Sequence, residues 1–214
     1  MNFHQLNNNV ISGRVSTASV RLSGFCLLMM LLYSFSASSQ ATLVYDVVKG
    51  KKIIGTLISS KIIRDNLTEY AIESKVNVDM ILAFKIYSRV SGVYRDGVLI
   101  DGKILRKVND SEKANAHIFW ATDKYFIQED KKLEEFRQKI FYSTACLMHW
   151  EPVNFTAVYS ENYKKMIPVK VVGPHKYMLL LPDGNKNYYT YQNGICLEAE
   201  VNTNLSTAYF RLRK

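Results

Sequence analysis

The chain has 214 residues, a mass of 24.6 kDa and a formal net charge of +9. With 48% hydrophobic and 22% charged residues it can bury a core, which excludes a disordered tail. Gly 10, Pro 4 and Cys 3 exclude collagen-like, low-complexity and disulfide-scaffold classes.

Residues 1–24 carry Arg14 and Arg21 and no acidic residue. An apolar run, Phe25 to Tyr33, follows, and then the small residues Ser34, Ser36, Ala37, Ser38 and Ser39. This order predicts a secretory signal peptide over 1–39, cut before Gln40, with a cut after Ala41 as the alternative. An N-terminal anchor is the competing reading, but the run is short of the roughly 20 apolar residues that spanning takes. Cleavage removes two of the nine net positive charges and leaves 40–214 as a single β-rich domain of charge +7. The expected product is a monomer exported to the periplasm, cell envelope or exterior, with no stable membrane anchor. That location, and the scatter of lysine and arginine along the chain, argue against nucleic acid as a partner.

Beyond the leader the dominant period is two. Tyr70, Ile72, Val76 and Val78 alternate with Glu69, Glu73, Lys75 and Asn77. Phe84, Ile86, Val90 and Tyr94 alternate with Lys85, Tyr87, Arg89 and Arg95. Ile195, Leu197, Ala199 and Val201 alternate with Cys196, Glu198, Glu200 and Asn202, and Ala208, Phe210 and Leu212 with Tyr209, Arg211 and Arg213. Each set predicts a strand with one face on a core and one in water. Lys49-Gly50, Asp65-Asn66, Asp96-Gly97, Asp101-Gly102, Asp183-Gly184 and Asn193-Gly194 supply turn signals between or within these runs. The fold class is therefore all-β: an antiparallel meander of about ten to twelve strands. A sheet that long must curl, so a strongly curved sheet or partly closed barrel is expected.

Two segments break the alternation. The charge-rich stretch 128–138 reads as a polar hairpin or a single exposed helical turn. Residues 142–149 lack alternation and stop before Glu151-Pro152, which predicts a short helix packed on the concave side of the sheet.

Catalytic patterns are sparse. His117, His149 and His175 have no metal-ligand spacing, so no metal site and no cofactor are expected. His149 with Glu151, and Cys146 with His149, are the suggestive pairs, but neither comes with an orienting group or oxyanion donors. The domain is accordingly read as non-enzymatic. Tyr189 and Tyr191 fall on one strand face and Tyr188 on the other, as expected of an ordinary tyrosine-rich sheet. Alternation puts Cys196 on the Glu198 face, away from Cys146 on the covering segment. Two free thiols are expected, with a Cys146–Cys196 bridge as the alternative.

The ordered segments Tyr45-Asp46-Val47…Ile54-Gly55-Thr56-Leu57, Leu181-Pro182-Asp183-Gly184 and Asn187-Tyr188-Tyr189-Thr190-Tyr191-Gln192-Asn193-Gly194 resemble a secreted bacterial family of unknown function, common in bacteroidete-type genomes. The resemblance covers 42–213 and implies no catalytic residue. The opening hairpin is also similar to periplasmic half-barrels of the lipoprotein-carrier type, by fold analogy. The leading expectation is a hydrophobic or lipid ligand in the concave sheet, lined by Tyr70, Ile72, Phe84, Ile86, Leu147 and Trp150. The alternative is a structural or interaction module with a fully packed interior.

Overall fold

The computed structural model describes residues 39–78, 83–204 and 206–214. The expected signal peptide lies outside these residues except for Ser39. The described residues form one contact-dense unit.

Fourteen strands follow in chain order, more than the ten to twelve expected. They are β1 (Ser39–Lys49), β2 (Lys52–Arg64), β3 (Leu67–Val78), β4 (Phe84–Arg95), β5 (Val98–Val108), β6 (Ser111–Ala121) and β7 (Lys124–Glu129). Then come β8 (Lys132–Phe136), β9 (Ala157–Ser160), β10 (Lys165–Gly173), β11 (Lys176–Leu180), β12 (Lys186–Gln192), β13 (Ile195–Asn202) and β14 (Thr207–Leu212). All pair antiparallel in a single sheet of order β8-β7-β6-β5-β4-β3-β2-β1-β14-β13-β12-β11-β10-β9. Tight turns drive this neighbour pairing. Asp96-Gly97 and Asn193-Gly194 both have positive φ at the two central residues, as two-residue loops between right-twisted strands require. The charge-rich stretch forms the β7–β8 hairpin.

The two edge strands, β8 and β9, do not hydrogen-bond to each other, so the sheet is unclosed. Its edges nevertheless meet through side chains. The rings of Phe136 on β8 and Tyr159 on β9 lie 5.5 Å apart, and Lys164 pairs with Glu129 just behind them. The sheet has rolled until its ends touch, the outcome expected for so many twisted strands.

The helix expected over 142–149 is not formed. Among the described residues the only helical element there is a three-residue 3-10 turn, Thr144–Cys146. Ser143 instead makes an isolated parallel bridge to Tyr159. Only local turn bonds, such as Cys146 N to Ser143 O and Trp150 N to Cys146 O, form within 140–150; other carbonyls of the segment are taken by the surrounding sheet, so no helical ladder runs through it. Ile140 O accepts from Leu99 N at 2.9 Å, Tyr142 O from Tyr159 N at 2.9 Å and Met148 O from Cys196 N at 3.2 Å. Nearly all of this segment is buried; only Phe141 and Trp150 are exposed. It is an internal plug, threaded through the rolled sheet.

One turn signal does not mark a turn. Asp101-Gly102 lies inside β5, paired with Val93 and Gly92 on β4. Gly102 is there for space, because a Cβ would sit 2.8 Å from Ile118 Cγ2. Alternation also failed at β13. A register shift between Thr190 and Tyr191 lets Tyr191 face Cys196 while Tyr189 faces Ala199. This bulge turns Cys196 into the core and leaves Leu197 37% exposed. Cys196 therefore does not share the Glu198 face, and Cys146 and Cys196 are buried free thiols.

Candidate functional site

The concave side is where the sequence placed its candidate residues. The register puts Tyr70, Ile72, Ile86 and Phe84 on one face: Tyr70 opposes Gly92, Ile72 opposes Val90, and Val76 opposes Ile86. Tyr70 is buried, edge-on to Tyr94 at 5.7 Å and 6.2 Å from the His149 ring. Leu147 is buried too, and Ile72 packs against the same core. Tyr70 and Ile72 thus share one core with Leu147, which belongs to the plug itself.

Phe84 and Trp150 do not. Phe84 is 36% exposed at the start of β4, beyond the reach of the plug, with half-buried Ile86 beside it. Trp150 leaves the interior, is 38% exposed, and stacks with Tyr142 and Phe155 at 4.9 and 5.3 Å. Expecting Phe84 to be a core residue implied a loss of about 3–5 kcal/mol for Phe84→Ala. Its exposure lowers the expected loss to about 1 kcal/mol, measurable by urea unfolding.

The sequence reading missed the means of attachment. Four tyrosines grip the plug or its supports by hydroxyl-to-backbone bonds. Tyr191 OH donates to Leu147 O at 2.9 Å, and Tyr45 OH to Cys196 O at 2.8 Å. Tyr125 OH donates to Leu99 O at 2.8 Å and accepts from Ile140 N at 3.1 Å. Tyr142 OH donates to Trp150 O within the segment. The signal available was the high tyrosine count itself, 14 residues. A buried tyrosine needs a hydroxyl partner, and an irregular segment has carbonyls to offer.

Polar groups cluster at two points along the plug. At the first, Glu161 is buried to 3% exposure and accepts from Thr144 Oγ1. Ser143, Tyr94 and Cys146 surround it. Burial pushes the Glu161 carboxyl above the usual carboxylate range. Burial likewise pushes the Cys146 thiol up to about 12, which makes it a poor nucleophile. At the second, the carboxylate of Glu151 accepts from Tyr177 OH at 2.8 Å and pairs with His175 Nδ1 at 2.9 Å. Glu151 thus faces His175 and not His149. His149 is buried near Ser59, Lys61 and Tyr70, and burial holds its imidazole below its ordinary pKa. Neither suspected pair is joined in the structure: Glu151 ties His175 and Tyr177 to the plug, and His149 lies against Ser59, Lys61 and Tyr70. Among the described residues no three metal-ligating side chains converge, and no helix is long and apolar enough to cross a membrane.

Two of the buried titratable groups, Glu161 and His149, act in opposite pH directions. Glu161 has a raised folded-state pKa, so its contribution is complete below the ordinary carboxylate pKa and is lost as pH rises through the raised value. His149 has a lowered one, so its contribution is complete above the ordinary imidazole pKa and is lost as pH falls through the lowered value. Glu161→Gln is expected to flatten the alkaline decline and raise the melting midpoint at pH 8 by a few degrees, about 1 kcal/mol or more in stability. A pH series of thermal melts checks it. An unchanged alkaline limb would show that Glu161 carries no such penalty.

A family model described as a domain of unknown function (DUF6134) matches residues 45–213. No curated protein matches the chain significantly. Among solved structures, a beta-barrel-like protein of domain of unknown function DUF1849 from Brucella abortus is similar. It has 12% sequence identity and a TM-score of 0.46, over 81% of this chain and 95% of that one.

Proposed function

The chain belongs to the DUF6134 family, a domain of unknown function, and on that footing we propose that it is an exported, monomeric, non-enzymatic interaction module. One observation carries this reading: the concave side, where a ligand would sit, is filled by residues 140–150 of the chain itself. A plug held by backbone hydrogen bonds and tyrosine hydroxyls is part of the fold, and emptying it would expose those groups unpaired. The positive leader, short apolar run and small-residue exit support export.

A second reading keeps an amphipathic ligand but moves it. The plug stops short of Phe84 and Ile86, which leaves apolar side chains on the core face partly open. A thermal melt with a panel of acyl-chain lipids separates the two. A ligand in roughly hundredfold excess over its Kd would add about 2.7 kcal/mol of stability. The expected result is no shift. A shift that Phe84→Asp abolishes would replace the packed-module reading with ligand binding at the open end.

A further inference from the structure

The outer face of β3–β6, on the far side of the sheet from the plug, carries a hollow of about 500 Å³. That volume is in the range of small-molecule sites. The antiparallel register fixes its layout. Val93 lies between Glu69 and Asp101, Ser91 opposes Lys103, and Lys103 opposes His117. Arg89 opposes Leu105, which opposes Asn115. Two carboxylates, Glu69 and Asp101, are thus set among two cations, Arg89 and Lys103. The formal charges of these four side chains cancel.

The polar groups are already organised. His117 Nε2 and Asp101 Oδ2 are 2.5 Å apart, and Lys103 Nζ lies 3.7 Å from Asp101 Oδ1. Arg89 is held 3.8 Å from Glu73 on the neighbouring strand. Between these groups the floor is small or apolar, with Ser91, Val93 and Leu105. Beyond His117 the rings continue: Phe119 lies 5.1 Å from it, and Phe126 stacks on Phe119 at 5.8 Å. A charge-balanced lining offers no net attraction to an ion. It carries acceptors in the Glu69–Asp101 row and donors in the two rows beside it, which suits hydroxyls that both give and take hydrogen bonds. An apolar floor with an aromatic margin suits a ring that presents C–H bonds.

We infer that this hollow is a binding site for a neutral carbohydrate, of about one or two sugar rings. Carboxylates accept from the sugar hydroxyls, while Arg89, Lys103 and Asn115 donate to them. The inference goes beyond the packed-interior reading and concerns the opposite face, so the two can fail separately.

The test is amide chemical-shift mapping of the mature protein with maltose, cellobiose and lactose, set against glucuronate and glucosamine as charged controls. The expected result is a neutral disaccharide that shifts the amides of Ser91, Lys103 and His117, with Arg89→Ala and Ser91→Phe each weakening it by about tenfold or more. Both side chains face outward, and an unchanged melting midpoint verifies folding. Lys103→Ala serves if either variant misfolds. The inference is overturned if none of the three disaccharides binds, if shifts map elsewhere, if the variants bind as well as wild type, or if the charged controls bind equally. The lipid melt reports on the interior regardless.

Discussion

Gly55→Ala is expected to unfold the protein or to cost at least about 3 kcal/mol, more than ordinary overpacking. Gly55 sits in β2 opposite Val47 on β1 and Val76 on β3. A Cβ there would lie 2.2 Å from Lys75 O and 2.8 Å from Val76 Cα. Both are backbone atoms of a paired strand, so no rotamer change relieves the clash. The β2–β3 ladder would have to open in the middle of the sheet. Gly173 is the control. It lies beside a register irregularity, and a Cβ on it meets only Lys176 Cβ, at 3.7 Å. Gly173→Ala should stay within about 1 kcal/mol of wild type, with a gain if the strand backbone suits alanine. Chemical denaturation of both variants decides the matter. A Gly55→Ala protein as stable as Gly173→Ala would mean that the close approach of β2 and β3 is not a property of the folded state.

Tyr125→Phe should cost about 2–4 kcal/mol although it removes a single oxygen. That oxygen satisfies two backbone groups at once, Leu99 O and Ile140 N, at the entrance of the plug. The ring has no solvent exposure, so water cannot replace the hydroxyl without repacking. Tyr188→Phe removes the same atom from an outward-facing residue and should be close to neutral. Amide hydrogen exchange adds a local reading: Ile140 and Tyr159 should lose protection in Tyr125→Phe before Val201 and Ala208, paired at the far end of β13 and β14, do. Uniform loss of protection would show that the plug has no stability of its own to lose.

The faces of β3 and β4 were legible because charged and apolar residues alternate over most of their length. The turns at Asp96-Gly97 and Asn193-Gly194 were legible because their chemistry is local. Phe84 was misjudged because alternation reports which face a residue takes and not whether anything covers it. The plug was misread as a helix because a non-alternating apolar run looks the same whether its backbone bonds to itself or to neighbours. Cys196 was placed on the wrong face because one extra residue in a strand reverses every side chain after it. Nothing in Ile195-Cys196-Leu197 marks that bulge; it shows only in the pairing, where Thr190 opposes Glu198 and Tyr191 opposes Cys196.

The sequence by itself therefore determined an all-β meander, its hairpin turns and the inward face of its long strands. These depend on period-two burial and on turn residues, which act over a few positions. Only the tertiary structure decided that the sheet rolls until Phe136 meets Tyr159, that the chain plugs its own concave side, and that Asp101 and His117 meet on the outer face. Those outcomes depend on register, bulges and the hydrogen-bond needs of buried groups. Such terms are set by partners distant along the chain, as with Tyr45 and Cys196, 151 residues apart.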